Sequence, residues 1–240
     1  MRRALVTGGA SPIGEAICRA LAADGLRVCI HAHRSRERAD ALAAAIAAAG
    51  GQAEVALFDI TDTAGAAATL AALLSAGGPF QVLVHNAGLH DDVPLAGMSE
   101  QQWKRVIDVS LNRFYAVTAP LMLPMIGTRW GRVIAISSVA ALMGNRGQVA
   151  YAAAKAGLHG AVRALSLECA SRGITVNAVA PGLIETPATA AQFDRAAIAA
   201  LVPMKRAGRP AEVADLVAFL ASDRAAYISG QIISINGGMA

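Results

Sequence analysis

The sequence has few charged and few aromatic residues, which make up 16% and 4% of its 240 residues. It has only three cysteines, Cys18, Cys29 and Cys169, and their spacing fits no metal-binding motif. We therefore expect no metal site, and we expect reduced thiols in or near the core of a cytoplasmic protein. No apolar run is long enough to span a bilayer, since the alanine-rich stretch at 41–49 is far too short.

The sequence also lacks a Lys/Arg run and lacks basic residues interleaved with aromatic ones, so nucleic-acid binding is not expected. Its formal net charge of +4 is mild and is compatible with anionic substrates and cofactors. The apolar run at 4–6 is too short for a signal peptide and is expected to belong to the first strand. A hydrophobic content of 55% favours one compact domain over residues 1–240.

Short apolar runs alternate with alanine-rich segments along the whole chain. Nearly continuous apolar runs are typical of parallel strands with helices on both faces. The alternation therefore predicts an α/β fold, a Rossmann-type doubly wound sheet of about seven parallel strands with ligands at the carboxyl ends. Strands are predicted at 3–6, 27–32, 53–58, 81–84, 132–137, 175–180 and 231–235. Helices are predicted near 13–24, 36–49, 63–75, 99–126, 149–172 and 210–221.

The longest segment without clear periodicity lies at 182–208 and contains Pro187, Pro203 and Gly208. Long loops within compact domains are usually functional or disordered. We therefore predict that this segment is a substrate lid.

Small residues connect the first predicted strand to the first helix, in the stretch Thr-Gly-Gly-Ala-Ser-Pro-Ile-Gly at 7–14. Such residues let the backbone approach a pyrophosphate, and a helix N-terminus offers free N–H groups. The strand before and the helix after make this signal stronger than an isolated glycine-rich turn. Pro12 is tolerated in the first turn but lacks an N–H, so we expect altered cofactor affinity rather than lost binding. The predicted cofactor contacts here are Gly8, Ser11, Pro12, Ile13 and Gly14.

The end of the second predicted strand indicates which nicotinamide cofactor is bound. Proteins that prefer NAD place an acidic residue there, but here no carboxylate occurs before Glu37. Arg34 can bind a 2′-phosphate with two parallel hydrogen bonds. The alternative is that Arg34 and Arg36 only begin a solvated helix face. We predict NADP(H), because no carboxylate is present to repel the 2′-phosphate and Arg34 is present to attract it.

Tyr151 and Lys155 lie four residues apart, so on a helix they share one face. A free phenol has a pKa of about 10, and a nearby ammonium is expected to lower it into the range for acid–base catalysis. Such a pair is common on helices, but Ser138 strengthens the signal. It follows the preceding predicted strand and can donate a hydrogen bond to a substrate carbonyl.

With these residues the chain resembles, over its whole length, the short-chain dehydrogenase/reductase family, and within it the 3-oxoacyl-(acyl-carrier-protein) reductases. Ser138, Tyr151 and Lys155 match the family's catalytic triad in type and spacing. The segments at 59–60, 86–88 and 177–186 match further family motifs. The resemblance implies additional cofactor contacts at Asp59, Ile60, Asn86, Ala87, Gly88, Tyr151, Lys155, Pro181, Gly182, Ile184 and Thr186.

The resemblance also implies a reaction, in which the nicotinamide passes a hydride to a ketone carbon. Tyr151 would protonate the oxygen, Ser138 would hold it, and Lys155 would bind the nicotinamide ribose. In the family an asparagine supports a water linked to this lysine, but here Ser110 occupies that position. A serine hydroxyl can bind a water although it is shorter. We expect Ser110 to serve this catalytic relay adequately, with slowed turnover as the alternative, and Asn112 to face elsewhere.

The resemblance implies an acyl-carrier protein bearing a 3-oxoacyl group as partner. Carrier proteins are acidic, so Arg129 and Arg172 are predicted docking residues at the mouth of the active site. Their alternative role is to stabilise helix C-termini. Residues 143–148 also resemble reductases of aryl-polyene synthesis. The family usually forms tetramers through the helices near 99–126 and 149–172, so we expect a homotetramer, or a hetero-oligomer with a homologous reductase.

Two other functions remain open at this point. One is reduction of a small free ketone, or oxidation of an alcohol, by the same triad. The other is a nucleotide-binding partner subunit with little activity of its own, which Ser110 and Pro12 favour. His85, His90, Asp91 and Asp92 lie near the cofactor edge, and they are expected to be ordinary loop residues, with contact to substrate as the alternative.

Overall fold

The computed structural model describes all residues from Met1 to Ala240, and they form one seven-stranded parallel sheet. The strand order is β3-β2-β1-β4-β5-β6-β7. This is the doubly wound Rossmann-type arrangement that the sequence predicts. The strands are β1 (Arg3–Val6), β2 (Arg27–Ala32), β3 (Gln52–Leu57), β4 (Val82–His85), β5 (Gly131–Ile136), β6 (Ile174–Pro181) and β7 (Ile232–Ile235).

The chain forms ten α-helices, six of which pack on the two faces of the sheet. They are α1 (Pro12–Ala23), α2 (Arg36–Ala48), α3 (Thr63–Gly77), α4 (Glu100–Ile107), α5 (Arg113–Gly127), α6 (Ala140–Met143), α7 (Val149–Cys169), α8 (Pro187–Gln192), α9 (Arg195–Leu201) and α10 (Pro210–Ala221). None of these helices combines the length and the apolar character needed to cross a membrane.

The sheet separates two apolar clusters of similar size, with 25 and 21 buried residues. Helices α1, α2 and α10 pack on one face, and α3, α5 and α7 pack on the other. Both faces of each central strand are therefore buried, which explains the nearly continuous apolar runs in the sequence. Cys18, Cys29 and Cys169 are buried and unpaired, as expected for core thiols.

The helix predicted at 99–126 is interrupted. A π-helical turn at Asp108–Asn112 separates α4 from α5, so that Ser110 lies inside the irregular turn. Ser110 is fully buried and Asn112 is exposed, which confirms that the two residues face different ways. The helix predicted at 149–172 ends at Cys169 and continues as a 3₁₀ turn over Ala170–Arg172.

The segment predicted to be aperiodic, at 182–208, contains the short helices α8 and α9. Thr186 and Asp194 cap them, accepting hydrogen bonds from Thr189 N and Ala197 N at 3.1 and 2.7 Å. Neither helix has a fully buried residue. Periodicity was absent from the sequence because neither helix packs an apolar stripe into the core.

Candidate active site at the carboxyl edge of the sheet

The glycine-rich stretch joins the carboxyl end of β1 to α1. Ser11 is the N-cap of α1 and accepts a hydrogen bond from Gly14 N at 3.2 Å, while Pro12 occupies the first turn. Gly8 adopts a positive φ of 62°, and a side chain on Gly14 would overlap the Gly8 carbonyl oxygen. The loop is therefore compact and keeps the N-terminus of α1 open to an anion.

Asn86, directly after β4, fastens this loop. Its Nδ2 donates to the carbonyl oxygens of Thr7 and Gly8, at 3.0 Å each, and to Ser11 Oγ at 3.2 Å. Thr7 Oγ1 accepts in return from the backbone N–H groups of Asn86 and Ala87. The side-chain amide that we expected to contact cofactor thus shapes the cofactor loop.

His31 also holds the loop, and the sequence interpretation missed it. Its Nδ1 accepts from Gly8 N at 3.0 Å, and its Nε2 lies 3.0 Å from the Phe58 carbonyl oxygen, so Nε2 carries the proton. Burial lowers the pKa of His31 to about 4, in agreement with a neutral ring. The available signal was a polar residue within the apolar run of β2.

Arg34 lies just beyond the carboxyl end of β2 and is exposed without an ion pair in the chain. The neighbouring His33 contacts Asp59 at 3.3 Å. Hydrogen bonds from Thr61 lower the pKa of Asp59, and the positive charge of Arg34 acts in the same direction. The Arg34 guanidinium remains available to an incoming anion.

The three triad residues converge beyond the end of β5. Ser138 lies two residues after this strand, and Tyr151 and Lys155 lie one turn apart on α7. The Lys155 Nζ lies 5.8 Å from the centroid of the Tyr151 ring and donates to the Ile136 carbonyl oxygen at 2.7 Å. Ser138 Oγ accepts from Ala140 N at 3.1 Å, which leaves the hydroxyl proton to be donated.

The predicted lowering of the Tyr151 pKa is wrong in this structure. Burial raises this pKa, the hydrogen-bonding Ser138 hydroxyl acts in the opposite direction, and the charge of Asp92 raises it again. Burial also lowers the pKa of Lys155 to about 8. The phenol is therefore protonated at neutral pH, which is the form that can donate a proton to a ketone.

Ser110 lies close to Lys155. A Cβ atom added to Gly88 would lie 3.8 Å from the Ser110 Oγ and 3.0 Å from the Lys155 Nζ. A residue with a side chain at position 88 would therefore crowd the Lys155 ammonium. The Ser110 hydroxyl donates to the Leu89 carbonyl oxygen at 2.8 Å and accepts from Leu89 N at 2.9 Å. Its single proton is committed to the backbone, and one lone pair remains for a water.

His85 is the last residue of β4 and fully buried, so the expectation that it is an ordinary loop residue is wrong. Its ring packs edge-on against Phe114 with centroids 5.5 Å apart, and neither ring nitrogen has a hydrogen-bond partner in the protein. Burial lowers the pKa of His85 to about 3, and the nearby charge of Lys155 adds to the effect.

The remaining predicted cofactor contacts fall into two groups. Pro181, Gly182, Ile184 and Thr186 follow or end β6 at the same edge of the sheet, and a Cβ on Gly182 would lie 2.8 Å from the Asn236 Cα. Ile60 is instead buried in the apolar cluster with α3 and α5. Only its backbone faces polar groups, since its carbonyl oxygen accepts from Arg113 at 3.3 Å.

The structure does not bring the two predicted docking arginines to the triad. Arg129 and Arg172 are exposed and lie just before β5 and β6, at the amino ends of these strands. Ser138 and Tyr151 lie beyond the carboxyl ends. Within one chain, the two arginines are therefore not at the mouth of the active site, because each lies a full strand length from the catalytic edge.

Residues 8–240 match a protein family described as enoyl-(acyl carrier protein) reductase. The chain is 42% identical to the 3-oxoacyl-[acyl-carrier-protein] reductase FabG of Aggregatibacter actinomycetemcomitans, over 98% of each chain. It is 44% identical to FabG of Escherichia coli (strain K12), over 98% of this chain and 96% of the relative. It is 42% identical to Nodulation protein G of Azospirillum brasilense, over 98% and 97%.

Proposed function

Because this chain belongs to the short-chain dehydrogenase/reductase family, we propose that it reduces a 3-oxoacyl thioester on an acyl-carrier protein to the 3-hydroxyacyl form, using NADPH. The observation that carries the proposal is the convergence of Ser138, Tyr151 and Lys155 beside the glycine-rich loop. The full-length similarity to 3-oxoacyl-[acyl-carrier-protein] reductases supports this substrate class. Fatty-acid synthesis is the corresponding pathway, and aryl-polyene synthesis is the alternative pathway for the same reaction.

The residues present fit a nicotinamide cofactor, which supplies the hydride when bound. The open N-terminus of α1 suits its pyrophosphate. Lys155 has three donors and uses one on Ile136, so two remain for the ribose and the phenol. We propose NADP(H) rather than NAD(H), because Arg34 is unpaired and no carboxylate lies between it and the end of β2.

The chain's own residues handle the proton. Tyr151 donates its phenol proton to the ketone oxygen, because its raised pKa keeps it protonated. Ser138 donates a hydrogen bond to the same oxygen, where negative charge develops. Ser110 supports resupply of the proton by accepting a hydrogen bond from a water near Lys155, since its own proton is held by Leu89.

We also propose that 1–240 is one domain in which 182–208 acts as the substrate lid. A homotetramer, or a hetero-oligomer with a homologous reductase, is supported by exposed apolar side chains on α5 and α7. Tyr115, Leu123 and Leu167 are 76%, 79% and 83% exposed. Reduced cysteines are consistent with a cytoplasmic location.

Carrier docking at Arg129 and Arg172 has a geometric requirement. Because these residues lie at the amino edge, they can serve an active site only where an oligomer places this edge beside the carboxyl edge of another chain. The apolar faces of α5 and α7 offer the contact surface for such an arrangement.

The test is NADPH oxidation, followed at about 340 nm, with one 3-oxoacyl group offered on a small thiol and on acyl-carrier protein. We expect turnover on both, and a higher kcat/KM on the carrier. A simple ketone and a trans-2-enoyl thioester serve as competing substrates. Preference for the simple ketone would replace the proposal by reduction of free ketones, and preference for the enoyl thioester would replace it by enoyl reduction. NADPH binding without any turnover would favour the partner-subunit function.

A further inference from the structure

A histidine that we expected to be an ordinary loop residue lies against the catalytic tyrosine. The ring centroids of His90 and Tyr151 are 5.8 Å apart, and the two planes meet at 67°. The His90 Nδ1 lies 2.9 Å from Asp92 Oδ1, and the other oxygen of this carboxylate accepts from Gln148 Nε2 at 2.8 Å. The His90 ring is therefore fixed through its Nδ1, while 55% of its side chain remains exposed to solvent.

The loop that carries His90 is joined to the helix that carries Tyr151. Gln148 directly precedes α7, and Val93 N donates to the Gly147 carbonyl oxygen at 2.9 Å. Asp92 thus connects the imidazole with the start of the catalytic helix. An isolated surface ion pair contributes little to stability and does not fix the geometry of its side chains. Here the additional hydrogen bonds of Asp92 to Gln148 and of Val93 to Gly147 hold the imidazole beside the phenol.

The adjacent carboxylate has a different set of contacts. Asp91 binds Arg105 at 2.7 Å and Gln102 at 3.3 Å, both on α4. Its side chain makes no hydrogen bond or ion pair with His90. Asp91 and Asp92 therefore provide a matched pair, one carboxylate that fixes the loop to α4 and one that orients the imidazole.

The hydrogen bond to Asp92 decides what His90 can offer a ligand. A carboxylate accepts only, so the proton of the neutral ring lies on Nδ1, and Nε2 presents a lone pair. In the neutral ring, Nε2 can consequently accept a hydrogen bond from an N–H donor on a substrate. A ketone or a thioester carbonyl has no such donor, but the cysteamine portion of a carrier-type thioester has an amide N–H a few bonds beyond the sulfur.

We propose that His90 binds the amide N–H of the thioester arm, and that Asp92 and Gln148 are positioning residues for this contact. The inference rests on the proposed function, and it adds a residue that recognises the arm rather than the acyl chain. His90 lies beside Tyr151, so an arm leaving the reacting ketone along this side passes the imidazole.

The test compares two 3-oxoacyl thioesters of equal length, an N-acetylcysteamine thioester and its counterpart in which an ester oxygen replaces the amide N–H. One neutral hydrogen bond corresponds to about a fivefold preference. We expect the wild-type kcat/KM to favour the amide-bearing thioester by about fivefold, mainly through KM. His90→Phe keeps a ring against Tyr151 and is expected to bring the ratio close to one.

Further variants separate recognition from support of the catalytic tyrosine. His90→Gln offers an acceptor oxygen and is expected to keep part of the preference. Asp92→Asn is expected to reduce the preference, and the matched Asp91→Asn to preserve it. An unchanged ratio in His90→Phe, or an equal loss of kcat on both thioesters, would overturn the inference. Wild-type failure on both thioesters would overturn the proposed function and this inference together, whereas equal wild-type turnover on both would overturn this inference alone.

Discussion

The two edges of the sheet use their charged groups in opposite ways. At the amino edge, the buried Arg3 binds Glu54 at 2.7 Å. The Trp130 ring lies close to the guanidinium groups of both Arg2 and Arg132, at 3.6 and 4.1 Å from its centroid. These cations are paired or stacked within the chain.

At the carboxyl edge three groups lack such partners, although Asn86 and His31 are hydrogen-bonded within the chain. Lys155 is buried and binds only a backbone carbonyl, Arg34 has no ion pair, and both nitrogens of His85 are unpartnered. Unpaired buried polar groups cost stability, and they persist mainly where function requires them. The comparison indicates that the amino edge stabilises the fold, whereas the carboxyl edge is kept ready for a ligand. Exposed Arg129 and Arg172 are exceptions at the amino edge, in keeping with their proposed role in docking, and the buried Arg3 Nε and Thr175 Oγ1 also lack partners there.

The largest expected effect breaks the carboxyl edge. Tyr151→Phe removes the proposed proton donor and is expected to lower kcat about 10³- to 10⁴-fold, with little change in the urea midpoint. Steady-state NADPH oxidation and urea unfolding measure the two effects. Tyr115→Phe is the matched control, since Tyr115 is 76% exposed on α5. A Tyr151→Phe enzyme with more than a tenth of wild-type kcat would contradict the assignment.

Next in size is a break at the amino edge. Arg3→Met leaves Glu54 and the carbonyl oxygens of Leu73 and Gly78 without their buried donor, so we expect a loss of about 3 kcal/mol in unfolding free energy. Arg19→Met, which breaks an exposed pair with Glu15, is expected to cost less than about 0.5 kcal/mol. Urea unfolding measures both. Equal costs in the two variants would remove the contrast between the edges.

The unpartnered histidine predicts a pH effect. The folded-state pKa of His85 is lowered to about 3. Below about pH 6.5 the unfolded state therefore binds a proton at this residue, whereas the folded state does not. The unfolding free energy should therefore decrease as the pH is lowered below about 6.5, by about 1.4 kcal/mol per pH unit for this residue. The total loss should reach about 2–3 kcal/mol near pH 4.5.

His85→Leu is expected to reduce this slope, while His31, with a folded-state pKa of about 4, retains part of it. The exposed His33 supplies a surface-histidine control, His33→Gln. Urea midpoints from pH 4.5 to about 7.5 give the comparison. An undiminished slope in His85→Leu would show that other groups cause the acid sensitivity.

A smaller change sharpens the role of the carboxyl edge. Arg34→Glu replaces attraction for a 2′-phosphate by repulsion, and it is expected to lower the preference for NADPH over NADH about tenfold or more. The ratio of kcat/KM values for the two cofactors is the readout. Arg36→Glu, two residues on and near Asp40 at 3.9 Å, is the control. Equal shifts in both variants would point to net charge rather than to a phosphate contact.

The smallest effect concerns the exception at the amino edge. Arg129→Ala with Arg172→Ala should raise KM for the carrier-bound substrate about three- to fivefold, because exposed charge contacts are weak. The increase should be smaller for the same acyl group on a small thiol. Lys104→Ala, an exposed cation on α4 paired with Glu100, is the charge control. A KM that rises equally on both substrates would contradict docking at these arginines.

Local patterns were sufficient for much of the fold. The bounds of β1 and β2 agree with the prediction, and the other strands differ by one or two residues, because buried parallel strands give continuous apolar runs. Tyr151, Lys155 and Ser138 could be found because helix periodicity and a strand end bring them to one place. The glycine-rich loop and its Pro12 at the helix start follow from the same local rules.

Features set by distant contacts could not be predicted. The π turn at Asp108–Asn112 arises where Ser110 binds the backbone of Leu89, 21 residues away. The hydrogen bonds of His31 join three strand ends. The pKa of Tyr151 depends on burial, which residue spacing does not reveal. The prediction that Arg129 and Arg172 lie at the mouth of the active site was wrong, because charge alone does not tell which end of a strand a residue occupies. Both residues precede their strands, at the amino edge.

The central claim is that the residues of the carboxyl edge would hold a nicotinamide cofactor, which would supply a hydride to C3 of a 3-oxoacyl thioester, while Tyr151 supplies the proton to its oxygen. Turnover with NADPH carrying deuterium at C4, on the transferred face, tests this most directly by mass spectrometry of the product. We predict one deuterium at C3 of a 3-hydroxyacyl thioester, and labelling at least about a thousandfold slower with Tyr151→Phe. Label in a saturated acyl product formed from an enoyl thioester, with none from the 3-oxoacyl thioester, would contradict the account.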